Sequence, residues 1–371
     1  MRILVTGGAG FVGSHLVDAL LEKGHRVRVY DSLDRQVHPG GRVPSYLAED
    51  IDFVHGDVRD RDRLKAALEG IDVVYHQAAF VGVGQSMYEI RRYVDGNSVG
   101  GATLLDILAN DSHDVKKVVV ASSLSIYGEG AYRCGTCGDV SPNLRTKDQM
   151  AAFDWELDCP SCGEKVEPIG TPESKPLQPT SIYAVTKRDH EEMFLAYGRA
   201  YGLPTTALRY FNIYGSRQAL SNPYTGVLAI FGGRLLSGNP PVIYEDGAQS
   251  RDFVHVSDIV QANILAMEKS EADYEVFNVG TGRRSSIGEI NEIFQSRLGL
   301  SVPPDVRNQF REGDIRHCYA DISHIESRLG YAPSVTLEQG IEELVDWVRE
   351  QNAVDTFESA AAELAAHGLV R

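Results

Sequence analysis

From its first residue the chain sets short apolar blocks against stretches in which apolar residues recur every third or fourth position. Met1 to Thr6 is an apolar run ending in glycines, and Phe11 to Lys23 carries helical spacing. Gly24 stops that helix, and Arg26 to Tyr30 alternates as a second strand. Phe53 to His55 and Leu64 to Leu68 give a further strand and helix. Val73 to His76 is a fourth strand, Val99 to Ala109 a helix and Lys117 to Ser122 a strand. This strand–helix alternation predicts an α/β fold on a Rossmann-type, doubly wound parallel sheet.

Residues 131–170 break this rhythm with cysteines, glycines, prolines and charges. A helix resumes over Ala184 to Tyr201 and a strand over Thr205 to Phe211. Beyond about residue 215 the pattern loosens, with helices expected at 227–237, 256–269, 286–298 and 336–350. The expected division is residues 1–130 plus 171–215 as a dinucleotide-binding domain and 131–170 as an insert. Residues 216–350 would form a smaller α/β substrate-binding region, and 351–371 an amphipathic or Ala-rich helical tail without assignable chemistry.

Composition narrows the classes. The formal net charge of -16 argues against a nucleic-acid partner, because gripping a polyphosphate backbone needs a surplus of Lys and Arg. A few local arginines would still serve a small anionic substrate. The strand-like start at Met1 predicts no signal peptide, and no apolar run reaches the ~20 residues that span a bilayer. No membrane association and a cytoplasmic location are the expectations.

Thr6-Gly7-Gly8-Ala9-Gly10-Phe11-Val12-Gly13 lies between a strand and a helix. Glycines there permit a tight turn and let backbone amides approach a pyrophosphate at a helix N-terminus. Alone, such a stretch is an ordinary turn. Asp31, closing the next strand, changes that: a carboxylate there binds the adenosine ribose and repels a 2′-phosphate, so NAD is favoured. Gly7, Gly10, Phe11, Val12, Asp31 and Ser32 are the expected cofactor residues of this stretch.

Tyr183 and Lys187 are four apart, on one face of a helix. A phenol with a pKa near ~10 is a poor base at neutral pH, and a nearby ammonium together with the oxidised nicotinamide is expected to lower it. Ser123, just past the strand Lys117 to Ser122, would share the proton, with Ser122 the alternative one residue earlier. A surface tyrosine and a solvated lysine are common at this spacing, but here they follow a cofactor turn and a serine at a strand end. Ser123, Tyr183 and Lys187 are therefore the candidate catalytic set.

Cys134-Gly-Thr-Cys137-Gly and Cys159-Pro-Ser-Cys162-Gly are two CxxC turns separated by twenty-one residues. That spacing fits one tetrahedral zinc with four thiolate ligands, a zinc ribbon closed to substrate and hence structural. The competing reading is four unpaired structural cysteines. The insert interrupts the chain between Ser123 and Tyr183, so its ends must lie near the active site, where it would shape the substrate mouth or a subunit contact. Cys318 is expected to be a buried small hydrophobe.

The glycine spacing resembles the short-chain dehydrogenase/reductase superfamily, above all its extended branch of nucleotide-sugar epimerases and dehydratases. Further matches are Gly56-Asp57-Val58-Arg59-Asp60, His76-Gln77-Ala78-Ala79, Asn97, Ser122-Ser123, Tyr183-Ala184-Val185-Thr186-Lys187, Leu208-Arg209-Tyr210-Phe211-Asn212 and Arg251-Asp252-Phe253-Val254-His255-Val256. The resemblance covers about residues 1–350 apart from the cysteine segment. It implies that Asp57 and Val58 contact the adenine, that Ala78 and Ala79 line the cofactor groove, and that Asn97 supports the active site. Ser122 and Phe211 join the cofactor set. It implies that Asn212 reaches the diphosphate or sugar, and that Arg251 and Arg311 grip the diphosphate, with Arg316 a possible helper. Gln85, Ser86 and Ser125 are expected on the sugar.

Relatives that eliminate water carry an acid pair after the catalytic hydroxyl residue; here Leu124 and Ser125 stand in those places. Without that acid, what remains is oxidation and re-reduction at one carbon, a 4-epimerisation. Asn222 to Val227, with Tyr244-Glu245-Asp246-Gly247, resembles bacterial epimerases acting on dTDP-6-deoxyhexoses such as dTDP-L-rhamnose. UDP-hexose and UDP-hexuronate stay open, as do a 4-keto-sugar reductase, a 4,6-dehydratase and a non-catalytic sensor of the same fold. The resemblance also implies a homodimer through a four-helix contact that includes the Tyr183 helix.

Overall fold

Ile3, Leu4 and Val5 are all fully buried, so the first strand has two apolar faces, as a central parallel strand requires. In this computed structural model, which describes residues 1–220, 222, 224, 226–311, 313–351 and 355–370, it is one of seven strands. They are β1 (Arg2–Thr6), β2 (Arg26–Asp31), β3 (Asp52–His55), β4 (Val73–His76), β5 (Lys117–Ser123), β6 (Thr205–Tyr210) and β7 (Val276–Val279). Their order is 7-6-5-4-1-2-3, with every neighbouring pair parallel. The chain moves outward from β1 to β3 and returns at β4, so the order reverses between β1 and β4. A ligand crevice belongs at the carboxyl ends of the strands at such a reversal.

The helices are α1 (Phe11–Glu22), α2 (Arg61–Ala67), α3 (Gly100–Asn110), α4 (Ile182–Tyr201), α5 (Val227–Leu236), α6 (Val256–Glu268), α7 (Ile287–Leu298), α8 (Leu337–Arg349) and α9 (Phe357–Ala366), besides shorter turns. Because side chains alternate along a strand, Ile3 and Val5 pack with α1 and α6, through Leu16, Leu20 and Ile259. Leu4, Val74, Val118 and Val120 pack on the opposite face with Leu64, Leu104 and Phe194 of α2, α3 and α4. A separate apolar cluster joins α5, α7 and α8 through Phe231, Ile290, Phe294, Ile341 and Leu344.

Three elements differ from the pattern reading. Strand β5 keeps Ser123 as its last residue, because the chain stays paired with Tyr210 of β6. The helix expected from Val99 is preceded by a π-turn over Val94–Val99, the kind of irregularity that re-aims a side chain. Strand β7 went unnoticed, since Val276-Phe277-Asn278-Val279 is too short a run to stand out in an irregular region. The insert contains a three-stranded antiparallel sheet of Gly138–Val140, Ala131–Cys134 and Glu167–Ile169, around Tyr132, Leu157 and Val166. Among the described residues, no helix is long and apolar enough to cross a membrane.

A buried ion pair docks α4 on the sheet. Arg209 of β6 donates through Nε to Glu191 Oε2 at 2.9 Å and through a second nitrogen to Oε1. Ser122 and Tyr127 join the network, Ser122 donating to Glu191 at 2.7 Å and Tyr127 accepting from Arg209 at 2.7 Å. Removing one partner of such a pair strands the other charge and costs about 3–5 kcal/mol, whereas replacing both can be nearly neutral. Glu191→Leu and Arg209→Leu should each lower the unfolding midpoint steeply, and the double variant should recover much of the loss in a calorimetric cycle.

Candidate active site

One cavity of about 630 Å³ opens at the strand-order reversal and runs from the glycine turn to the region around α5 and α9. At one end β1 turns into α1. Gly7 has φ +69°, and a Cβ there would stand 2.8 Å from the Ala78 backbone; a Cβ on Gly13 would collide with the Gly7 carbonyl. Only glycine lets the turn and helix approach β4 this closely. The α1 N-terminus has no side-chain cap, and Gly10, Phe11 and Val12 border the cavity, so its first amides are available to an anion.

Asp31 ends β2 on the cavity wall. Its carboxylate accepts from the Ala9 amide at 3.0 Å and the Leu33 amide at 2.8 Å, which fixes it beside the glycine turn. Ser32, Asp57, Val58, Ala78, Ala79, Ser122 and Phe211 border the same cavity. The Asp57 carboxyl is held below its usual range by its bonds to Arg59. Asn97 does not border it. Placed by the π-turn, it accepts from the Phe80 amide at 2.8 Å and donates to Thr186 Oγ1 at 3.0 Å, stapling the chain after β4 to α4.

Tyr183 and Lys187 lie one turn apart on α4, which begins where Ser181 caps the Ala184 amide at 3.1 Å. The Tyr183 amide donates to Ser86 Oγ at 3.0 Å, and Lys187 donates to the Ala121 carbonyl of β5 at 2.7 Å. Ser123 accepts from the Ser125 hydroxyl at 2.9 Å and the Ser125 amide at 3.2 Å. That leaves the Ser123 proton for Tyr183. Of the two serines, the Ser122 hydroxyl is spent on Glu191, whereas Ser123 points toward Tyr183. Burial dominates the ionisation of both groups. It pushes the Tyr183 phenol up to about 12, with Ser123 pulling the other way, and drives Lys187 down to about 7. The expected lowering of Tyr183 by Lys187 is absent from the free protein, where burial and the Ser123 hydrogen bond set the phenol. Behind them, burial also takes His76 down to about 3, its ring stacked on Phe194 at 5.2 Å.

At the far end Asn212 borders the cavity, and its buried Oδ1 has no hydrogen-bond partner among the described residues. Arg251 borders it too, held by donation to the carbonyls of Ile315 at 2.7 Å and Arg316 at 3.0 Å. Arg311 lies over the Tyr244 ring at 4.9 Å and pairs with Asp314 at 2.8 Å. Ser125 borders the cavity, whereas Gln85 and Ser86 do not: Gln85 bonds to Gln36 and Tyr93, and Ser86 positions Tyr183. Arg316 is corrected. Its side chain is 1% exposed and spent on Glu156, Glu245 and Asp246. Pro223 and Thr225 of the Asn222 to Val227 stretch lie outside the described residues. Sequence reasoning missed Thr180 and Gln218, polar residues of irregular segments, and the α9 residues that also border the cavity, whereas Tyr224 lies in the Asn222 to Val227 stretch it had singled out.

In the insert, the sulfurs of Cys134, Cys137, Cys159 and Cys162 all lie within 4.8 Å of one another. Gly138 and Gly163, directly after the two CxxC pairs, have φ +76° and +78°, the tight turn such knuckles need. Backbone amides of Ser161 and Cys162 help bring the Cys159 thiol down to about 7. Four sulfurs at this spacing could ligate one tetrahedral ion with metal–sulfur bonds of about 2.3 Å. Cys318 is buried, and burial lifts its thiol to about 12. The insert reaches the cavity through charge: Arg145 pairs with Glu245 at 2.8 Å, and Glu156 with Arg316 at 2.7 Å. Arg316 is the residue whose carbonyl holds Arg251.

A Rossmann-type sheet, a glycine turn and a serine–tyrosine–lysine set at one crevice define a dinucleotide-dependent enzyme of the dehydrogenase/reductase type. The chain belongs to the NAD dependent epimerase/dehydratase family, whose profile matches residues 3–147 and 160–280. It is 33% identical over 356 residues to the dTDP-L-rhamnose 4-epimerase of Burkholderia thailandensis, covering 94% of this chain and 95% of that one. A solved UDP-glucose 4-epimerase from Thermotoga maritima, with UDP-glucose, is 33% identical with a TM-score of 0.75, covering 94% of this chain and 99% of that one. The UDP-glucuronic acid 4-epimerase from Bacillus cereus, in complex with UDP-glucuronic acid and NAD, is 28% identical with a TM-score of 0.74 and the same coverage.

The Lys187 shift carries a stability consequence. With a native pKa near 7 and an unfolded one near ~10.4, the unfolded chain binds the extra proton between these values. The native state therefore gains stability as pH rises from 7 toward 10 and carries the full penalty below 7. Lys187→Met should raise the unfolding midpoint most at and below pH 7, with the advantage shrinking toward pH 10 in a thermal-melt series.

Proposed function

We infer that this chain is an NAD-dependent 4-epimerase of nucleoside-diphosphate sugars, working by transient oxidation at C4. Residues 1–130 and 171–215 would carry the cofactor and residues 216–350 the substrate. The glycine turn and the open α1 N-terminus suit the pyrophosphate, Asp31 the adenosine ribose, and Asp57 and Val58 the adenine. The unpartnered Asn212 Oδ1 with Arg251 and Arg311 suits a donor-bearing, anionic ligand at the other end.

One observation carries the epimerase reading over a dehydratase. Each carboxylate that borders the cavity among the described residues is already engaged: Asp31 by amides, Asp34 by Arg92, Asp57 by Arg59, Glu245 by Arg145 and Asp314 by Arg311. Next to Ser123 stand Leu124 and Ser125. No acid is free for loss of water, so chemistry at the sugar reduces to moving one proton and one hydride. Bound NAD supplies the hydride acceptor and later the donor. The protein's part is the proton: it passes from the sugar hydroxyl through Ser123 Oγ to Tyr183, while Ser125 fixes the Ser123 rotor. Lys187, one turn away, would hold the nicotinamide ribose, and the positive charge of bound NAD would offset the burial that holds the phenol near 12. Return of the proton with the hydride on the other sugar face completes inversion.

dTDP-6-deoxyhexoses, dTDP-L-rhamnose among them, are the leading substrates, followed by UDP-hexoses. The four cysteines hold structural zinc, and exposed Val94, Val99 and Val185 on and next to α3 and α4 suit a homodimer contact. The protein should purify with NAD and interconvert 4-epimers of one sugar nucleotide in a UDP-, dTDP-, GDP- and CDP-sugar panel read by NMR, without added cofactor. A net reductase would instead consume added NADH. Tyr183→Phe should lower turnover by about 10²–10⁴-fold while NAD stays bound, which absorbance of the denatured supernatant checks.

Zinc bears on the substrate end. Cys137→Ser with Cys162→Ser should drop zinc from near one per chain to near none by elemental analysis. Because the insert anchors Arg316, and Arg316 anchors Arg251, KM should rise several-fold more than kcat falls.

A further inference from the structure

Helix α9 stands on the cavity. Phe357, Ala360, Ala361 and Leu364 border it, at the three, one and three spacing that puts four side chains on one helix face. The family profile ends at residue 280, so this wall lies outside the part of the chain that defines the family.

Both ends of the helix are tied down. At its start, Arg234 and Arg307 reach Glu358 at 3.0 and 3.1 Å, and both guanidiniums lie over the Phe357 ring. Asn239 donates to Asp355 at 2.8 Å. Past its end, His367 stacks on Tyr88 with ring centroids 4.6 Å apart, and Val370 bridges to the Arg311 backbone. Tyr224 donates to Glu363 at 3.0 Å. The helix therefore runs along the cavity from the Arg234 and Arg307 side toward the turn that holds Tyr183. There Leu364 covers Gly84: a Cβ on Gly84 would stand 3.0 Å from a Leu364 methyl. Gly84 sits in the turn Val83–Ser86, whose Ser86 holds the Tyr183 amide.

This wall offers a ligand no donor and no cation. Among the described residues bordering the cavity the lysines and arginines are Lys187, Arg251 and Arg311. Lys187 belongs to the reacting hydroxyl and cofactor, and the two arginines to the diphosphate. A sugar carboxylate lying against Leu364 and Ala361 would be buried beside an apolar face with no lysine or arginine of its own among the described residues, which is costly. A neutral hexose or a deoxyhexose methyl meets the same surface without penalty. We propose that α9 is a specificity-determining wall that selects uncharged sugars and rejects hexuronates. The proposal rests on reading the cavity as a sugar-nucleotide site.

The test is calorimetric titration of the purified, NAD-containing full chain with UDP-glucose and UDP-glucuronate, and with dTDP-glucose and dTDP-glucuronate. UDP and dTDP alone serve as controls. The wild type should prefer the neutral sugar at least tenfold with whichever base it accepts. Leu364→Lys, which places a cation on the wall, should cut that preference at least tenfold, with the affinity for the bare nucleotide within threefold and NAD content unchanged. Ala361→Lys is the second variant in case the first misfolds, and Leu364→Met should keep the preference. Equal binding of glucose and glucuronate nucleotides by the wild type, or an unchanged ratio in both lysine variants, overturns the wall. Failure of every sugar nucleotide to bind overturns the site reading as well, and is distinguishable from the first two results.

Discussion

The position of α4 on the sheet decides whether this site exists, and the buried Glu191–Arg209 pair sets that position. Helix packing alone would tolerate sliding, because apolar contacts have no direction. A two-point ion pair between a helix and the adjacent strand does not. With Glu191 fixed, Lys187 one turn earlier falls against the Ala121 carbonyl, and Tyr183 one turn before that reaches Ser123. The pair also takes up the Ser122 hydroxyl, which leaves Ser123 the serine turned toward Tyr183.

Desolvation is the second constraint. The same burial that excludes water raises the phenol and depresses the amine, so both groups of the empty pair are pushed toward their neutral forms. A site poised this way has its charges supplied by what binds. Preorganised groups in a dry crevice need little rearrangement once the missing charge arrives.

What could be read from the chain alone was what is local. The glycine turn, Asp31 at a strand end, the Tyr183–Lys187 spacing and the two CxxC turns each lie within a few residues of sequence, where periodicity and backbone geometry leave few choices. Long-range placement was illegible. Gln85 and Ser86 follow the cofactor groove in sequence, yet they turn away from the cavity into hydrogen bonds with Gln36, Tyr93 and the α4 amide. Arg316 looked like Arg311 and Arg251, and only the three carboxylates on its side chain, drawn from segments far apart, tell it from a ligand arginine. The apolar stripe of α9 reads as any amphipathic helix until the surface it faces is known. The direction of the Tyr183 shift depends on burial, which spacing does not report.

The cavity takes its walls from Gly7 at one extreme and Leu364 at the other. Its cofactor end is built from the first strands and helices, which are near one another in the chain. Its substrate end needs segments separated by hundreds of residues to meet. Loop closure makes such contacts late in folding and slow to form. The two ends should therefore mature in sequence, with a chain able to hold a dinucleotide before it can discriminate a sugar.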